Sequence, residues 1–389
     1  MKITELYIYP IKALAPLSVA RARLMRDGVE HDRRFMLVKI TGDKKTPYKP
    51  VQTDKHPEAV VLKQHIDNGD IVVTGPPVKD GSHGRGFTIP QLRVPLYPQD
   101  LESLETLEVT LGGSAVHAHR MGADPYDDWF SARLGYPVIL VYIGMTGRPV
   151  LAHEPSKHYL WRQPRRRPPV SNEGWLSSIS NHVPSLLGGG GVIDAVKEKG
   201  MEASRNDDEN EKLAFNECAP FLVTSKASLR DVSARLPEGE EMEMRKFRPN
   251  IVIDNDDSNS DNETATATDQ EGTDKLKAWE EDYWGELVIT SKEGSGGHRL
   301  ALTANCARCI SINIDYEKGT YASGELGNVL KKLMKDRRVD PGNKWEPIFG
   351  RYAFLAPGDD GGGVEIAVGD DVSVARRLDY RDAWEWPKH

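Results

Sequence analysis

Cysteine is scarce in this chain: Cys218, Cys306 and Cys309 are the only three in 389 residues. So few exclude a disulfide scaffold and fit a reducing compartment. No apolar run reaches the ~20 residues that a membrane-spanning helix needs, so no integral membrane segment is expected. A phosphate-binding GxxxxGK[ST] loop is missing, as is any internal repeat. The glycines at 361–363 lack a GxGxxG frame, so a dinucleotide fold is unsupported. Positive charge is in deficit. The net charge of −8 argues against nucleic acid as a general partner. The start, Met1-Lys2-Ile3-Thr4-Glu5-Leu6-Tyr7, enters a strand pattern at once, and the expectation is that no signal peptide, transit peptide or membrane anchor precedes it.

What is present suits two domains, with 38% hydrophobic and 28% charged residues. Ile3 to Pro10 and Val19 to Leu24 read as strands, with Lys12 in the turn between them. Asp27-Gly28 is a turn signal. His31-Asp32-Arg33-Arg34 leads into the apolar strand Phe35 to Val38. Further short strands are expected at Ala59 to Leu62, Asp70 to Thr74, Leu107 to Leu111 and Val138 to Ile143, a spacing that suits a β-barrel or sandwich. Pro125 to Leu134 is the first credible helix, with Phe130 and Leu134 on one face.

From 146 to 212 the chain turns basic and proline-rich (Trp161 to Pro169), then glycine-rich (Gly188 to Gly191), then acidic (Asn206 to Glu211), which reads as a flexible linker. The basic run either meets an acidic partner or is simply solvated. Order resumes with the strand Pro220 to Thr224, Ser225 as an N-cap, a helix through Leu236, and Phe247-Arg248-Pro249-Asn250 entering the strand Ile251 to Asp254. Residues 254–278 hold an acidic insertion. From Asp254 to Asp274 inclusive there are eight carboxylates and no Lys or Arg, which suits a solvated loop. Leu287 to Thr290 reads as a strand, Leu326 to Met334 as a helix, and Val368-Gly369-Asp370 as a turn before the last strand.

The densest chemistry is at Cys306-Ala307-Arg308-Cys309. The approach, His298 to Leu302, alternates polar and apolar. After it, Ile310, Ile312 and Ile314 alternate with polar residues, so the expected form is strand, cysteine-bearing turn, strand. A guanidinium beside a thiol favours the thiolate, a nucleophile or soft metal ligand. The spacing alone leaves other readings open: half of a zinc site, a redox pair, or two inert core thiols.

Several elements now form a recognisable order: Tyr9-Pro10-Ile11-Lys12, Asp32-Arg33-Arg34-Phe35, Pro220-Phe221-Leu222 with Ala227-Ser228-Leu229, Phe247-Arg248-Pro249-Asn250, Glu281-Asp282-Tyr283-Trp284, Cys306-Ala307-Arg308-Cys309, Phe349-Gly350-Arg351-Tyr352 and Val368-Gly369-Asp370. This order resembles the MOSC family, and within it the amidoxime-reducing branch. The resemblance implies an α+β, β-rich fold. A MOSC N-terminal β-barrel-like domain (1–145) would pack against a MOSC β-barrel domain (213–378) that carries a few helices.

The resemblance also implies molybdenum cofactor (molybdopterin and its Mo), with Cys309 as metal ligand and catalytic centre. Lys12, Arg34, Arg248, Asn250, Ala307 and Arg308 would contact the cofactor, and Cys306 would be structural. A phosphate and a polar pterin need convergent Arg and Lys donors, and a soft thiolate suits a dithiolene-held metal. Asp282 would support the site indirectly or cap a helix. Ala13, Ala307 and Glu217-Cys218-Ala219 stand where the family often carries hydroxyls.

The implied reaction is reduction of N-hydroxylated compounds (amidoximes, hydroxylamines) to amines, with two electrons and two protons releasing water. The electrons would come from outside, by family precedent from cytochrome b5 and cytochrome b5 reductase. The alternative is a non-catalytic carrier of molybdenum cofactor or persulfide sulfur. Pyridoxal phosphate binding is also associated with the family, because related sulfurases join such a domain to this region, but none fits in this chain. The expected location is cytoplasmic and soluble, with mitochondrial association as the alternative.

Overall fold

Seven strands close into a barrel, and the first of them comes from the start of the chain. In the computed structural model the staves run in the order Ile251–Asp254, Phe221–Ser225, Ile348–Leu355, Gly297–Ala307, Trp284–Thr290, Asp371–Arg377 and Lys2–Ile8. Lys2–Ile8 then pairs antiparallel with Ile251–Asp254 and shuts the ring, Leu6 opposite Ile251 and Lys2 opposite Asp254. Closure removes the exposed edges that an open sheet would present. The structure describes residues 1–77, 91–145, 147–155, 212–255, 275–292, 297–356 and 363–385. The basic and glycine-rich parts of the expected linker, and residues 256–274 of the acidic insertion, lie outside them.

Alternation builds the barrel interior. Ile3, Leu6, Val223, Ile253, Trp284 and Leu302 belong to one buried cluster. The parallel pair Phe221–Ser225 and Ile251–Asp254 needs a crossover, and the helix Lys226–Ser233 begins it. The Ser225 side chain accepts from the Ser228 amide at 3.4 Å, the N-cap read from the sequence. Gly350 shows why one motif carries a glycine. Its φ is +81°, and a Cβ there would lie 2.8 Å from the Val223 carbonyl oxygen. The Val368-Gly369-Asp370 turn joins the barrel to its first stave: Ile3 N donates to Asp370 O at 3.0 Å, and Gly369 N donates to Ile3 O at 2.7 Å.

Among the described residues, the N-terminal half also forms a five-stranded antiparallel sheet and a three-stranded one, and it gives two strands to a second three-stranded sheet completed by Val364–Ala367. Phe35–Ile40 lies inside the larger sheet, paired with Val138–Tyr142. Phe35 and Leu37 enter one core with Trp129 and Phe130 of the helix Asp128–Leu134, while Met36 and Val38 enter another with Phe215. Burial on both faces explains why this stretch is a continuous apolar run rather than an alternating one. The β-rich α+β class expected from the sequence is the class that forms.

Three local expectations fail. Ala59 to Leu62 is not a strand: Pro57 sits in the first turn of a short 3₁₀ helix, Pro57–Val61. The second strand is interrupted at Ala20 into Leu17–Val19, which pairs with the first stave, and Arg21–Met25, which pairs with Val364–Ala367. The isoleucines after Cys309 do not continue a strand. Ile310–Asn313 is a 3₁₀ turn, because each isoleucine meets different surroundings. Ile310 is 47% exposed, Ile312 packs with Phe247 and Phe349, and Ile314 packs with Val60 and Tyr316.

Candidate functional site

The long strand Gly297–Ala307 ends at the two cysteines, and there a cavity of about 300 Å³ opens between the halves of the chain. Its walls include Lys12, Ala13 and Arg33 from the N-terminal half and Glu217, Arg248, Asn250 and Tyr352 from the other. Cys306, Ala307, Arg308 and Cys309 also line it. Three wall residues stand in left-handed backbone conformations without being glycine: Ala13 (φ 74°), Arg33 (φ 51°) and Arg248 (φ 53°). Such strain persists only where surrounding bonds over-determine it, and it gathers at functional sites.

The two thiols have separate surroundings. Cys306 is buried and lies 2.8 Å from Arg308 Nη1. Cys309 is exposed, immediately precedes the Ile310–Asn313 turn, and lies 3.1 Å from Ser311 Oγ. Among the described residues no group of three or more His, Cys, Asp or Glu gathers as a metal cluster, so the CxxC does not complete a zinc tetrad there. Cys218 is remote from reactivity: burial first, then the Glu217 and Cys306 charges, push its thiol up to about 12.

The cations are held from behind. Arg308 donates to the Phe247 carbonyl and has its guanidinium 5.3 Å from that ring's centroid. Its Nε is buried with no partner. Arg248 donates to Leu14 O at 3.0 Å and lies 4.2 Å from the Tyr9 ring centroid. Arg33 lies 4.4 Å from the same ring. One buried phenol ring thus carries two guanidinium contacts, a cation–π pairing that fixes both. Lys12 is buried and donates to Phe215 O at 2.8 Å and to Glu217. Burial pulls its ammonium below the usual lysine range, and Arg33 and Arg148 add to that while Glu217 opposes it.

Of the residues singled out from the sequence, Lys12, Arg248, Asn250, Ala307, Arg308 and Cys309 all line the cavity. Arg34 does not. Its guanidinium donates to Asp27 and, at 2.7 Å, to Gly144 O, and the adjacent Arg33 takes the wall position. Asp32 pairs with Arg33, not with Arg34. The Asn250 amide is fully engaged: Oδ1 accepts from Leu222 N at 3.2 Å, and Nδ2 donates to Tyr7 O and Asp32 Oδ2, each at 3.2 Å. Asp282 lies off the cavity wall, buried against Arg337 at 2.9 Å and Arg381 at 2.7 Å.

Sequence reasoning passed over the roles of Arg33, Glu217 and Tyr352. Nothing in the spacing separates Arg33 from Arg34, and Glu217 and Tyr352 reach the site only through pairing across the fold.

A family model described as MOSC N-terminal beta barrel domain matches residues 1–137, and one described as MOSC domain matches residues 210–373. Similar curated proteins include Mitochondrial amidoxime reducing component 2 of Macaca fascicularis, 32% identical over 37% of this chain and 35% of that protein. Mitochondrial amidoxime-reducing component 1 of Homo sapiens is 30% identical over 42% of this chain and 39% of that protein. Mitochondrial amidoxime reducing component 2 of Rattus norvegicus is 23% identical over 90% of this chain and 78% of that protein. The first two matches therefore span well under half of those relatives' length.

Proposed function

This chain belongs to the MOSC domain family, and on that premise we propose that it is a molybdenum-cofactor-dependent reductase of N-hydroxylated compounds. One observation carries the reading: the exposed Cys309 thiol shares a cavity with four cations, two from each half of the chain, Lys12, Arg33, Arg248 and Arg308.

The donor set suits the group. A molybdopterin brings a phosphate, a polar pterin and a metal already held by sulfur. The cavity offers an ammonium, three guanidinium groups, a buried Nε without a partner on Arg308, and one accessible thiol. When bound, the cofactor supplies two-electron chemistry at the N–O bond.

The chain's own residues do the rest. Cys309 would hold the metal through its sulfur, with Ser311 Oγ orienting that sulfur from 3.1 Å. Arg248, Arg308 and Arg33 would neutralise the cofactor's anionic and carbonyl oxygens from fixed positions, so little reorganisation accompanies binding. Asn250 on the wall and Asp32 behind it would hold Arg33 and the Arg248 turn in place. Next to Cys309 in the chain, Ile310 is exposed and would meet the organic part of the substrate.

The electrons would arrive from a separate donor, cytochrome b5 with its reductase in this reading. The relatives' names place them in mitochondria, which favours a mitochondrion-associated enzyme. The test is metal analysis of protein made in a cofactor-competent host, joined to an amidoxime-reduction assay. Molybdenum with turnover supports the reading. Molybdenum without turnover moves the assignment to a cofactor carrier, and no molybdenum overturns it.

A further inference from the structure

One carboxylate on the cavity wall is paired with the most buried of the four wall cations. Glu217 accepts from Lys12 Nζ, and the two side chains differ sharply in exposure, 47% for Glu217 and 7% for Lys12. Two more cations face the same carboxylate. Arg33 lines the same wall. Arg148, buried, donates to the backbone carbonyls of Asn216 and Glu217, and both guanidinium groups act on the Glu217 charge. Three fixed cations thus converge on one half-solvated, singly charged group.

We propose that Glu217 is an exchangeable internal anion. It occupies the phosphate position of the cavity when no ligand is bound, and it swings into solvent when the phosphate monoester of a ligand replaces it on Lys12.

The asymmetry of exposure gives the direction of the exchange. Lys12 cannot follow its partner outward, because its ammonium is buried and also donates to Phe215 O at 2.8 Å. A buried ammonium without an anion is costly. Glu217, by contrast, regains water when it leaves, and an ion pair with one partner in solvent is weak. A phosphate monoester near neutral pH carries about −1.5 to −2 charge and several acceptor oxygens, so it satisfies the three cations better than one carboxylate does. The tether keeps Glu217 at high local concentration. A monoanion such as acetate therefore competes poorly, and the site selects for phosphate.

This rests on the cavity being the cofactor site and deepens it by assigning Lys12 to the phosphate. The test uses the full chain produced without molybdenum cofactor, and the probe is inorganic phosphate with acetate as the monoanion control. In the wild type, phosphate raises Tm and acetate does not. Glu217→Gln lowers Tm in anion-free buffer, binds phosphate at least tenfold more tightly by calorimetry, and gains measurable acetate binding. Adding Lys12→Met to that variant removes the gain.

Should Glu217→Gln fail to fold, Glu217→Asp, with a shorter reach to Lys12, serves in its place and tightens phosphate binding to a smaller degree. Phosphate binding no tighter than wild type in the folded variant overturns the exchange, as does a gain that survives Lys12→Met. Phosphate exchange at Lys12 in a protein that never acquires molybdenum would sink the cofactor reading alone. Molybdenum loading that is indifferent to Glu217, with phosphate binding unchanged, would sink the exchange alone.

Discussion

Asp32 Oδ2 accepts the Asn250 amide at 3.2 Å, across 218 residues of sequence. The same carboxylate accepts from Tyr9 N at 2.7 Å, from Asn216 Nδ2 at 3.3 Å and from Arg33 at 2.5 Å. It is 1% exposed. Four segments that line or support the cavity therefore meet on one buried charge. Asp32→Ala strands the Arg33 guanidinium and three donors, and is expected to cost about 3–5 kcal/mol of stability. Urea denaturation measures it. A loss under 1 kcal/mol would show that the hub is dispensable.

The two cysteines of the CxxC are expected to separate cleanly. Cys309 is exposed and Cys306 is buried beside Arg308. Cys309→Ser should leave Tm within about 1 °C, since exposed substitutions usually stay within ~0.5 kcal/mol, while abolishing molybdenum retention and reduction. Cys306→Ser should lower Tm and keep the metal. Metal content of the two variants, read beside their melting curves, decides the ligand. A fully loaded Cys309→Ser protein refutes the assignment.

Arg33 and Arg34 make a matched pair for testing the cavity wall. Arg33 lines it with its side chain 11% exposed, and Arg34 is turned to Asp27 outside it. Arg33→Ala is expected to reduce cofactor content at least tenfold, the loss of one charge-assisted contact of about 1.5–3 kcal/mol. Arg34→Ala should leave content within twofold. Equal loss from both would place the electrostatic contribution outside the wall.

The sequence disclosed the elements whose reasons are local. Ser225 as a cap, the strand Ile251 to Asp254 and the turn at Gly369 depend on neighbours a few residues away, and all three form as read. The cavity's cations were partly legible for another reason: Lys12, Arg248 and Arg308 sit in short motifs whose order resembles the MOSC family, and that resemblance implied their place on the wall. What stayed hidden depends on long-range pairing. Lys2–Ile8 reads as an N-terminal strand, yet it closes a barrel otherwise built from 221–377. Glu217 reads only as a departure from the family's hydroxyls until Lys12 is beside it.

The end of the chain is a second case of such pairing, and it yields a prediction. A domain boundary at residue 378 looks natural because the last barrel strand ends at Arg377. The following segment returns to the barrel. Asp382 pairs with the buried Arg351, its carbonyl accepts from Asn305 Nδ2 at 2.9 Å, and Trp384 N donates to Asp340 Oδ1 at 2.8 Å. A chain ending at Leu378 leaves Arg351 short of its carboxylate and should lose about 3 kcal/mol or more. Thermal melting of the truncated and full chains tests this. Equal Tm values would make the tail ornamental.

Glu281 gives the pH dependence. It is 0% exposed, and burial first, then the neighbouring Asp282 charge, push its carboxyl up to about 8. The unfolded chain releases that proton near 4.5. Between those values the native state binds a proton that the unfolded state does not, so this group's contribution is fully present below about 4.5. It falls as pH rises and is lost once pH passes about 8. The loss across that window is roughly 3–5 kcal/mol at 1.36 kcal/mol per unit. Glu281→Gln keeps the shape and removes the titration. Urea unfolding at a series of pH values should therefore show a wild-type stability that declines from pH 5 to pH 8, and a variant whose curve is flatter by that amount and higher at pH 8. A wild type whose stability rises over the same interval in parallel with the variant would mean that Glu281 is ionised in the native protein, stabilised by Arg337 rather than held neutral by its burial.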